Sequence, residues 1–175
     1  MRRIPAIATA VGAAAMIVGG CTSPPRGLEP QRGFQINRYL GTWYEIARLD
    51  HSFERGLSHV TAHYSRRPDG DIQVVNRGYN AAKEKWSESR GRARFRGDPD
   101  VASLKVTFFW PFWGGYHVIA LDPQAYSYAM VTSSKRSYLW ILARDKQIEP
   151  EILDDLLAKA KAWGFQTEDL IFVEQ

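Results

Sequence analysis

Hydrophobic and polar residues alternate over several short stretches of the chain, most clearly over residues 58–64 and 104–110. This period of two is typical of β-strands that bury one face. Turn residues such as Pro68-Asp69-Gly70 separate the stretches. The predicted strands cover residues 43–47, 58–64, 71–77, 84–96, 104–110, 116–121, 126–132 and 138–144. Strands at such even spacing, with no helices between them, indicate an antiparallel barrel or sandwich.

Hydrophobic residues at helical spacing come last in the chain. Pro150 and Gly164 bracket them, as expected for the first turn of a helix and for the residue just past its end. The apolar stripe consists of Ile152, Leu153, Leu156, Leu157, Ala160 and Trp163. Such a stripe must cover an apolar surface, and the outside of the strand layer is available. Residues 170–173 predict a short final strand, and Asn37 predicts the N-cap of a single helical turn.

The first 20 residues have the layout of a secretory signal. Arg2 and Arg3 supply the positive start, and an alanine-rich apolar run follows that is short for a membrane span. The single cysteine, Cys21, directly follows two glycines. This ending resembles the bacterial lipobox, whose cysteine is diacylated and becomes the N-terminus; a plain signal with an incidental cysteine is the alternative. We expect a lipoprotein signal over residues 1–20, a lipidated tether over 21–33 and one domain over 34–175.

Three short motifs in this frame resemble the signatures of one family. Gly41-Thr42-Trp43-Tyr44 sets a glycine and a tryptophan at the start of the first strand. Ala120-Leu121-Asp122 lies between two later strands and is followed by Tyr126 and Tyr128, and Arg144 ends the strand over residues 138–144. In this order, the motifs resemble those of the lipocalins, small eight-stranded barrels that hold apolar ligands. The flanking sequence is similar to the bacterial lipocalin lipoproteins of the outer membrane.

The resemblance implies an all-β fold: an eight-stranded up-and-down antiparallel β-barrel with one C-terminal α-helix packed outside and a short ninth strand. It implies structural roles for Gly41, Trp43, Asp122 and Arg144, with Arg144 lying across Trp43 in a cation–π contact. It also implies a carrier without a cofactor that binds a fatty acid or a lysophospholipid, for lipid storage, transport or membrane maintenance under stress.

The same resemblance bears on where the protein is anchored. Thr22 follows Cys21 in place of the aspartate associated with inner-membrane retention, which favours the outer membrane. We expect the acylated Cys21 to hold the carrier in the outer-membrane bilayer, facing the periplasm. The sequence leaves open whether two copies form a homodimer.

Period-two parity assigns the side chains that would line such a barrel. The expected cavity residues are Glu45, Val106, Phe108, Tyr116, Val118, Tyr138, Trp140 and Leu142. They line a ligand cavity or fill a solid core, because a barrel of about eight strands allows either outcome. Glu45 shares the inward face with Trp43, so its carboxylate needs a partner: a hydrogen bond within the protein or a polar group of the ligand.

Catalytic and metal chemistry have little support in the sequence. No Gly-x-Ser-x-Gly motif, phosphate-binding loop or cysteine available as a nucleophile is present. His59 and His63 are four residues apart, which on a strand separates them by roughly 13 Å. We therefore predict no catalytic residue and no metal site. The alternatives to a carrier are an enzyme that acts on envelope lipids and a structural lipoprotein with a filled barrel.

Charge changes this picture little. Arg2 and Arg3 belong to the predicted leader, so the formal net charge of +4 falls to +2 without them. Basic residues mostly alternate with acidic ones, which gives nucleic-acid binding no support. The one cationic run recurs at period two and should point outwards into water, with contact to anionic lipid headgroups as the alternative. This run consists of Arg90, Arg92, Arg94 and Arg96.

Overall fold

Eight antiparallel strands close into a barrel in the computed structural model, which describes residues 22–175. The predicted signal and Cys21 lie outside the described residues. The strands are β1 (Gly41–Leu49), β2 (Leu57–Arg66), β3 (Ile72–Asn80), β4 (Lys85–Phe95), β5 (Ser103–Phe109), β6 (Phe112–Leu121), β7 (Tyr128–Thr132) and β8 (Leu139–Ala143). Each strand pairs with the next, and β1 pairs with both β2 and β8. The predicted eight-stranded up-and-down barrel is confirmed.

Three further elements lie around the barrel. A short helix, α1 (Ile36–Tyr39), leads into β1, and a longer helix, α2 (Pro150–Ala162), follows β8. The short strand β9 (Leu170–Phe172) pairs antiparallel with β1. The predicted C-terminal helix and ninth strand are thus confirmed. No helix among the described residues is long and apolar enough to cross a membrane.

The predicted N-cap at Asn37 is wrong. Helix α1 begins at Ile36, so the cap position falls on Gln35, whose side chain makes no capping hydrogen bond. The Asn37 side-chain oxygen instead accepts hydrogen bonds from the guanidinium of Arg66, at 2.8 and 3.0 Å. Asn37 therefore joins the helical turn to the end of β2, because a tertiary partner competes for the oxygen that would cap the helix.

The pairing of β1 with β8 contains a β-bulge. Glu45 pairs with Leu142, but the next pair joins Ala47 to Ile141, so β1 carries one extra residue. A bulge of this kind reverses the parity of the residues that follow it. Arg48 therefore pairs with Trp140 and shares the interior with Glu45, where simple alternation would direct it outwards.

The hairpin between β5 and β6 differs from the prediction. A turn was expected over residues 111–115, but β6 begins at Phe112 and only Trp110 and Pro111 separate the two strands. Gly114 and Gly115 pair with Val106 and Lys105 as strand residues. A side chain at Gly115 would meet His117, Ser134 and the Thr22 carbonyl at 3.0 Å or less, so a glycine fits here because neighbouring chain lies close to its backbone.

Two apolar clusters stabilise the fold. One fills the closed end of the barrel and includes Phe34, Tyr39 and Trp43. The other lies between α2 and the outside of the barrel, where Leu156 and Ala160 are fully buried. The helix thus covers the outer wall, as its apolar stripe predicts.

The segment over residues 22–33 lies against the barrel from Thr22 onward, although its composition predicts a tether. The Arg26 carbonyl accepts a hydrogen bond from Arg136, and the Gln31 backbone donates one to the Val118 carbonyl at 2.8 Å. Leu28 is only 6% exposed because it joins the cluster beneath α2. A few backbone bonds and one buried leucine are enough to hold this segment on the wall.

Candidate functional site

A cavity of about 540 Å³ occupies the open half of the barrel interior. We call its entrance the mouth; the loops that follow β1, β3, β5 and β7 surround it. Seven of the eight predicted cavity residues line this space: Glu45, Val106, Phe108, Tyr116, Tyr138, Trp140 and Leu142. The interior is therefore not filled by side chains throughout, and the open half has room for a ligand.

Val118 is the predicted cavity residue that the structure places elsewhere. Its side chain is completely buried in the cluster at the closed end. Tyr116 lies two residues nearer the mouth on β6, and its large side chain reaches the cavity. The parity of Val118 was assigned correctly, but alternation along a strand does not reveal the depth at which a cavity ends.

Three tyrosines close the cavity at its inner end. The Tyr116 hydroxyl lies 2.7 Å from that of Tyr39 and 2.8 Å from that of Tyr64, within hydrogen-bonding distance of both. Burial raises the pKa of Tyr116 well above its ordinary value, and the neighbouring tyrosines act in the same direction. The hydroxyls therefore stay protonated and form a neutral, hydrogen-bonded floor.

Below this floor, Arg144 covers Trp43. The guanidinium carbon of Arg144 lies 4.0 Å from the centre of the Trp43 ring, a close cation–π distance. The same guanidinium donates hydrogen bonds of 2.7 to 2.9 Å to the carbonyls of Arg38, Leu40 and Thr42. The Trp43 indole in turn donates to the Tyr39 carbonyl at 2.8 Å. These contacts fix α1 across the end of the barrel.

Gly41 and Asp122 shape the backbone around this closed end. Gly41 has a φ of +96°, and a Cβ there would lie 3.4 Å from the Arg144 guanidinium, so a larger residue would be strained. Asp122 accepts hydrogen bonds from the Ser127 hydroxyl at 2.6 Å and from the backbone of Gln124 at 3.0 Å. Burial alone would raise the pKa of Asp122, but these hydrogen bonds outweigh it, and the pKa is lowered. Both residues serve the fold.

Arg48 and Glu45 form a buried hydrogen-bonded pair on the cavity wall above the floor. Arg48 donates a hydrogen bond of 2.7 Å to Glu45, and the two residues are 1% and 3% exposed. The Arg48 guanidinium also donates to the Glu54 carbonyl at 2.9 Å. Glu45 thus has a partner within the protein and also lines the cavity. Alternation missed Arg48 because of the β1 bulge, which leaves no reliable signal in the sequence of the strand.

The loop over residues 50–56 brings a second carboxylate to this wall. Glu54 accepts a hydrogen bond from the Trp140 indole at 3.0 Å, and its other near neighbour is His51, whose Nε2 lies 2.9 Å away. Phe53 stacks on His51 and also lines the cavity. The loop therefore forms part of the mouth. Sequence analysis did not identify Glu54 or His51, since loop residues carry no periodic pattern.

The charge on Glu45 depends on these neighbours. Burial and the nearby Glu54 carboxylate raise the pKa of Glu45 to about 8, although Arg48 opposes the shift. Of these two carboxyl groups only Glu45 pairs with Arg48, and the Glu54 carboxylate lies close to Glu45, so Glu45 retains a proton near neutral pH. The wall can therefore lie next to an apolar ligand without presenting an unbalanced negative charge.

His59, His63 and the arginine run lie outside this site. His63 contacts the Thr42 hydroxyl at 2.9 Å, and His59 sits at an irregular point of β2. The described residues contain no group of three or more histidine, cysteine or acidic residues that could hold a metal ion. Arg92 and Arg94 lie on the outer face and form ion pairs with Asp71.

Comparisons with known proteins agree with this architecture. A family model described as a lipocalin-like domain matches residues 34–175. The outer membrane lipoprotein Blc of Citrobacter freundii is 49% identical over 175 residues, which cover 100% of this chain and 98% of the relative. The Vibrio cholerae protein of the same name is 48% identical over 160 residues, covering 91% and 94% of the two chains.

More distant relatives share the same fold. Apolipoprotein D of Bos taurus is 32% identical over 187 residues, covering 98% of this chain and 93% of the relative. The solved structure of insecticyanin from the tobacco hornworm Manduca sexta superposes with a TM-score of 0.69 at 19% identity, covering 87% and 88% of the two chains. The barrel, the closed-end contacts and these matches together establish that the chain belongs to the lipocalin family.

Proposed function

We propose that the protein is a lipid carrier that holds the long apolar tail of a fatty acid or a lysophospholipid inside its barrel. The cavity of about 540 Å³ is the observation that carries this proposal. Its size falls within the range of about 300–1,000 Å³ that is typical of small-molecule sites. Each square ångström of tail removed from water contributes about 25 cal/mol, so an unbranched hydrocarbon chain can bind without specific polar contacts.

The lining suggests how such a tail would lie. Trp140 and Leu142 on β8 face the interior, and Val106 and Phe108 on β5 line it as well. Tyr116 stands at the inner end, where its bonded hydroxyl leaves no unpaired donor for the tail to meet. A tail entering from the mouth would pass Trp140 before Leu142 and stop above the tyrosine floor.

The mouth offers charges of both signs to a polar headgroup. Arg77 and Lys135 contribute positive charge to the mouth, and Glu54 contributes negative charge. A carboxylate or a phosphate would be attracted to the cations, and the ammonium of a lysophospholipid would be attracted to Glu54. Both ligand classes are therefore compatible with the mouth, and the tail supplies the affinity that they share.

An enzyme acting on envelope lipids fits the geometry less well. The Ser103 hydroxyl lies 3.1 Å from His117 Nδ1, the spacing of a nucleophile and a base. However, this pair lies on the outer face of the barrel, and neither residue lines the cavity. Burial lowers the pKa of His117 to about 4, and the Arg96 charge acts in the same direction. A ligand in the barrel would not reach this hydroxyl.

The bound lipid can be identified directly. The protein would be purified from a bacterial envelope, extracted with organic solvent, and the extract analysed by mass spectrometry. We expect fatty acids or lysophospholipids in near-stoichiometric amounts. A Gly114→Phe variant, in which the new side chain would enter the cavity, provides the matched control and should yield none. An empty extract from the wild type, or equal yields from both proteins, would contradict the proposal.

We further propose that acylated Cys21 anchors the carrier in the outer membrane, facing the periplasm. The lipobox-like ending before the sole cysteine supports this, as does the name of the relatives that are 48–49% identical, outer membrane lipoprotein. Several acyl chains on one residue give stable attachment, since each buried CH₂ contributes about 0.8 kcal/mol. The Cys21→Ser variant should be unprocessed or soluble. If it fractionates with outer membranes as the wild type does after processing, the anchor is elsewhere.

A further inference from the structure

Three large aromatic side chains project from the tip of the β5–β6 hairpin. Phe109, Trp110 and Phe112 are 79%, 82% and 75% exposed. We call these three residues the aromatic tip. Phe109 and Phe112 also line the cavity, so the tip forms part of the mouth. Side chains of this size are rarely left in water as a contiguous group, and such a patch marks a surface that another apolar phase covers.

The first described residue of the chain lies close to this tip. The Thr22 carbonyl is 3.0 Å from the position that a Cβ on Gly115 would take. Gly115 follows Phe112 by three residues on β6, a distance of roughly 10 Å along the strand. The loop that follows β7 is also adjacent, since Ser134 approaches Gly115 and Arg136 donates a hydrogen bond to the Arg26 carbonyl. Thr22 therefore lies on the outer wall roughly 10 Å from the aromatic tip, where its hydroxyl also accepts a hydrogen bond of 3.1 Å from Arg96, just past the end of β4.

From Thr22 the segment runs away from the mouth. Gln31 bonds to Val118, and Phe34 bonds to Asp100 at the closed end. Because Pro25 and Leu28 are buried, the segment is held on the wall along its course. Cys21 directly precedes Thr22, so an acyl anchor on Cys21 would attach on the outer wall beside Gly115, within reach of the aromatic tip.

We propose that the aromatic tip inserts into the bilayer that holds the acyl chains, so that the mouth of the barrel lies against the membrane surface. This inference rests on the proposed anchor at Cys21. Tip and anchor then enter the same bilayer from the same end of the molecule, and a lipid can pass between membrane and cavity without crossing open water. Tryptophan and phenylalanine are the residues that interfacial contacts favour.

The charges beside the tip favour a bilayer over a second copy of the protein. A groove of about 470 Å³ on the outer wall contains Trp110 and Trp113 together with several cations: Arg67, Arg90, Arg92, Arg94 and Lys105. Three acidic residues, Asp69, Asp71 and Glu88, pair with the arginines, which leaves a net positive surface. Anionic headgroups attract such a surface, whereas an identical surface repels it.

Site-directed spin labelling of the full acylated protein tests this inference. The wild-type chain has a single cysteine, and acylation blocks it, so a nitroxide would attach only to a newly introduced cysteine. The test variant is Phe112→Cys. The matched controls are Gln124→Cys, in the turn at the closed end, and Lys83→Cys, in the polar loop that follows β3 at the mouth. All would be reconstituted into vesicles of phosphatidylethanolamine with a minor fraction of phosphatidylglycerol.

The proposal predicts a specific pattern of collision rates. At Phe112→Cys, oxygen should reach the nitroxide severalfold more readily than a water-soluble nickel complex does, as expected inside a bilayer. At Gln124→Cys the nickel complex should have free access. Equal nickel access at both positions would overturn the inference. Strong coupling between tip nitroxides in dilute vesicles would also overturn it, because the tip would then join two copies of the protein.

A second measurement covers the case in which Phe112→Cys does not fold. Brominated lipids in the same vesicles should quench part of the tryptophan emission, and Trp110→Phe should remove that part while preserving the apolar tip. If the quenched fraction is the same in both proteins, Trp110 is not in the bilayer and the inference fails. Failure of the proposed anchor at Cys21 would give a different result, since the protein would then not float with the vesicles at all. A protein that floats but whose aromatic tip stays in water would refute only the insertion of the tip.

Discussion

Arg144 combines two kinds of contact at the closed end of the barrel. Its guanidinium lies over Trp43 and at the same time satisfies three carbonyls around α1. The chain turns sharply at Gly41, which lies between two of these carbonyls and has a φ of +96°. Arginine suits the position because its planar group stacks on a ring and presents several N–H donors in one plane.

Replacing Arg144 by alanine should therefore destabilise the fold without affecting the ligand directly. We expect Arg144→Ala to lower the free energy of unfolding by about 1–3 kcal/mol, through the lost cation–π contact and the lost packing of the side chain. Urea unfolding of Arg144→Ala, Trp43→Leu and the double variant gives the coupling between the two residues. Strict additivity of the two changes would show that the contact contributes nothing.

Glu45 should make stability depend on pH in an unusual direction. Burial, together with Glu54, raises its pKa in the folded state to about 8, against an unfolded value of 4.5. Between these values the folded chain retains a proton that the unfolded chain has lost, so stability falls as the pH rises. His117, with a folded pKa of about 4, acts in the opposite direction but only below pH 6.5, where its unfolded form is protonated.

The window from pH 6.5 to pH 8.5 therefore isolates Glu45. Urea unfolding should show the wild type losing about 2 kcal/mol across this window, since each pKa unit corresponds to about 1.4 kcal/mol. Glu45→Gln, which preserves shape and cannot ionise, should show a flat profile. If the free energy of unfolding of Glu45→Gln falls as steeply with pH as that of the wild type, another group causes the pH dependence.

Individual side chains differ in how well sequence could place them. Trp140, Leu142 and Tyr138 were assigned to the interior by parity, and β8 is regular, so parity holds along it. Arg48 was not found because one extra residue in β1 reverses the alternation. A bulge has no reliable local signal, since it depends on how two strands fit together across the barrel.

The β5–β6 hairpin shows that composition alone can misplace the start of a strand. Its glycines and proline indicate a turn over five residues, yet Gly114 and Gly115 belong to the strand. Gly114 faces the cavity, and a Cβ there would have the Val106 carbonyl, at 3.9 Å, as its nearest neighbour. Gly115 faces the opposite way and is covered by Thr22. The requirement for glycine at position 115 comes from distant parts of the chain, which local propensity cannot register.

A large side chain at Gly114 should therefore close the cavity from within. We expect Gly114→Phe to weaken fatty-acid binding by about tenfold or more, because the new ring occupies the space of the tail. The thermal midpoint should stay the same or rise, as filling a cavity adds contacts. Isothermal titration with a soluble fatty acid measures this, with Gly97→Phe, in an exposed loop at the closed end, as control. Unchanged affinity would locate the ligand outside the barrel.

The whole molecule was largely predictable because independent patterns agree. Short alternating strands, one late amphipathic helix and three ordered motifs all indicate the same barrel, and consistency of this kind marks a sequence with one favoured fold. The depth of the cavity and the course of residues 22–33 were not predictable. Both depend on the sizes of facing side chains and on a few backbone hydrogen bonds, and neither leaves a periodic trace in the sequence.

The placement of residues 22–33 changes how the molecule would work as a carrier. A free tether would let the barrel tumble beneath the membrane, whereas a docked segment fixes the mouth relative to residue 22. The tyrosine floor then lies deep inside, away from the entrance, whereas Arg48 is hydrogen-bonded to the mouth loop through the Glu54 carbonyl. An apolar wall whose tyrosine hydroxyls are hydrogen-bonded to one another is suited to holding a tail that must also be released.

Fluorescence titration of delipidated protein with a fatty acid brominated in mid-chain tests the central claim, that the tail lies inside the barrel. Bromine quenches a tryptophan that it contacts, and Trp140 lines the cavity while Trp163 lies outside beside α2. We predict strong quenching in the wild type and in Trp163→Ala. In Trp140→Ala we predict about tenfold weaker binding, with only the quenching of Trp113, which also lines the cavity, remaining. Equal affinity and equal quenching in all three folded proteins would contradict the account.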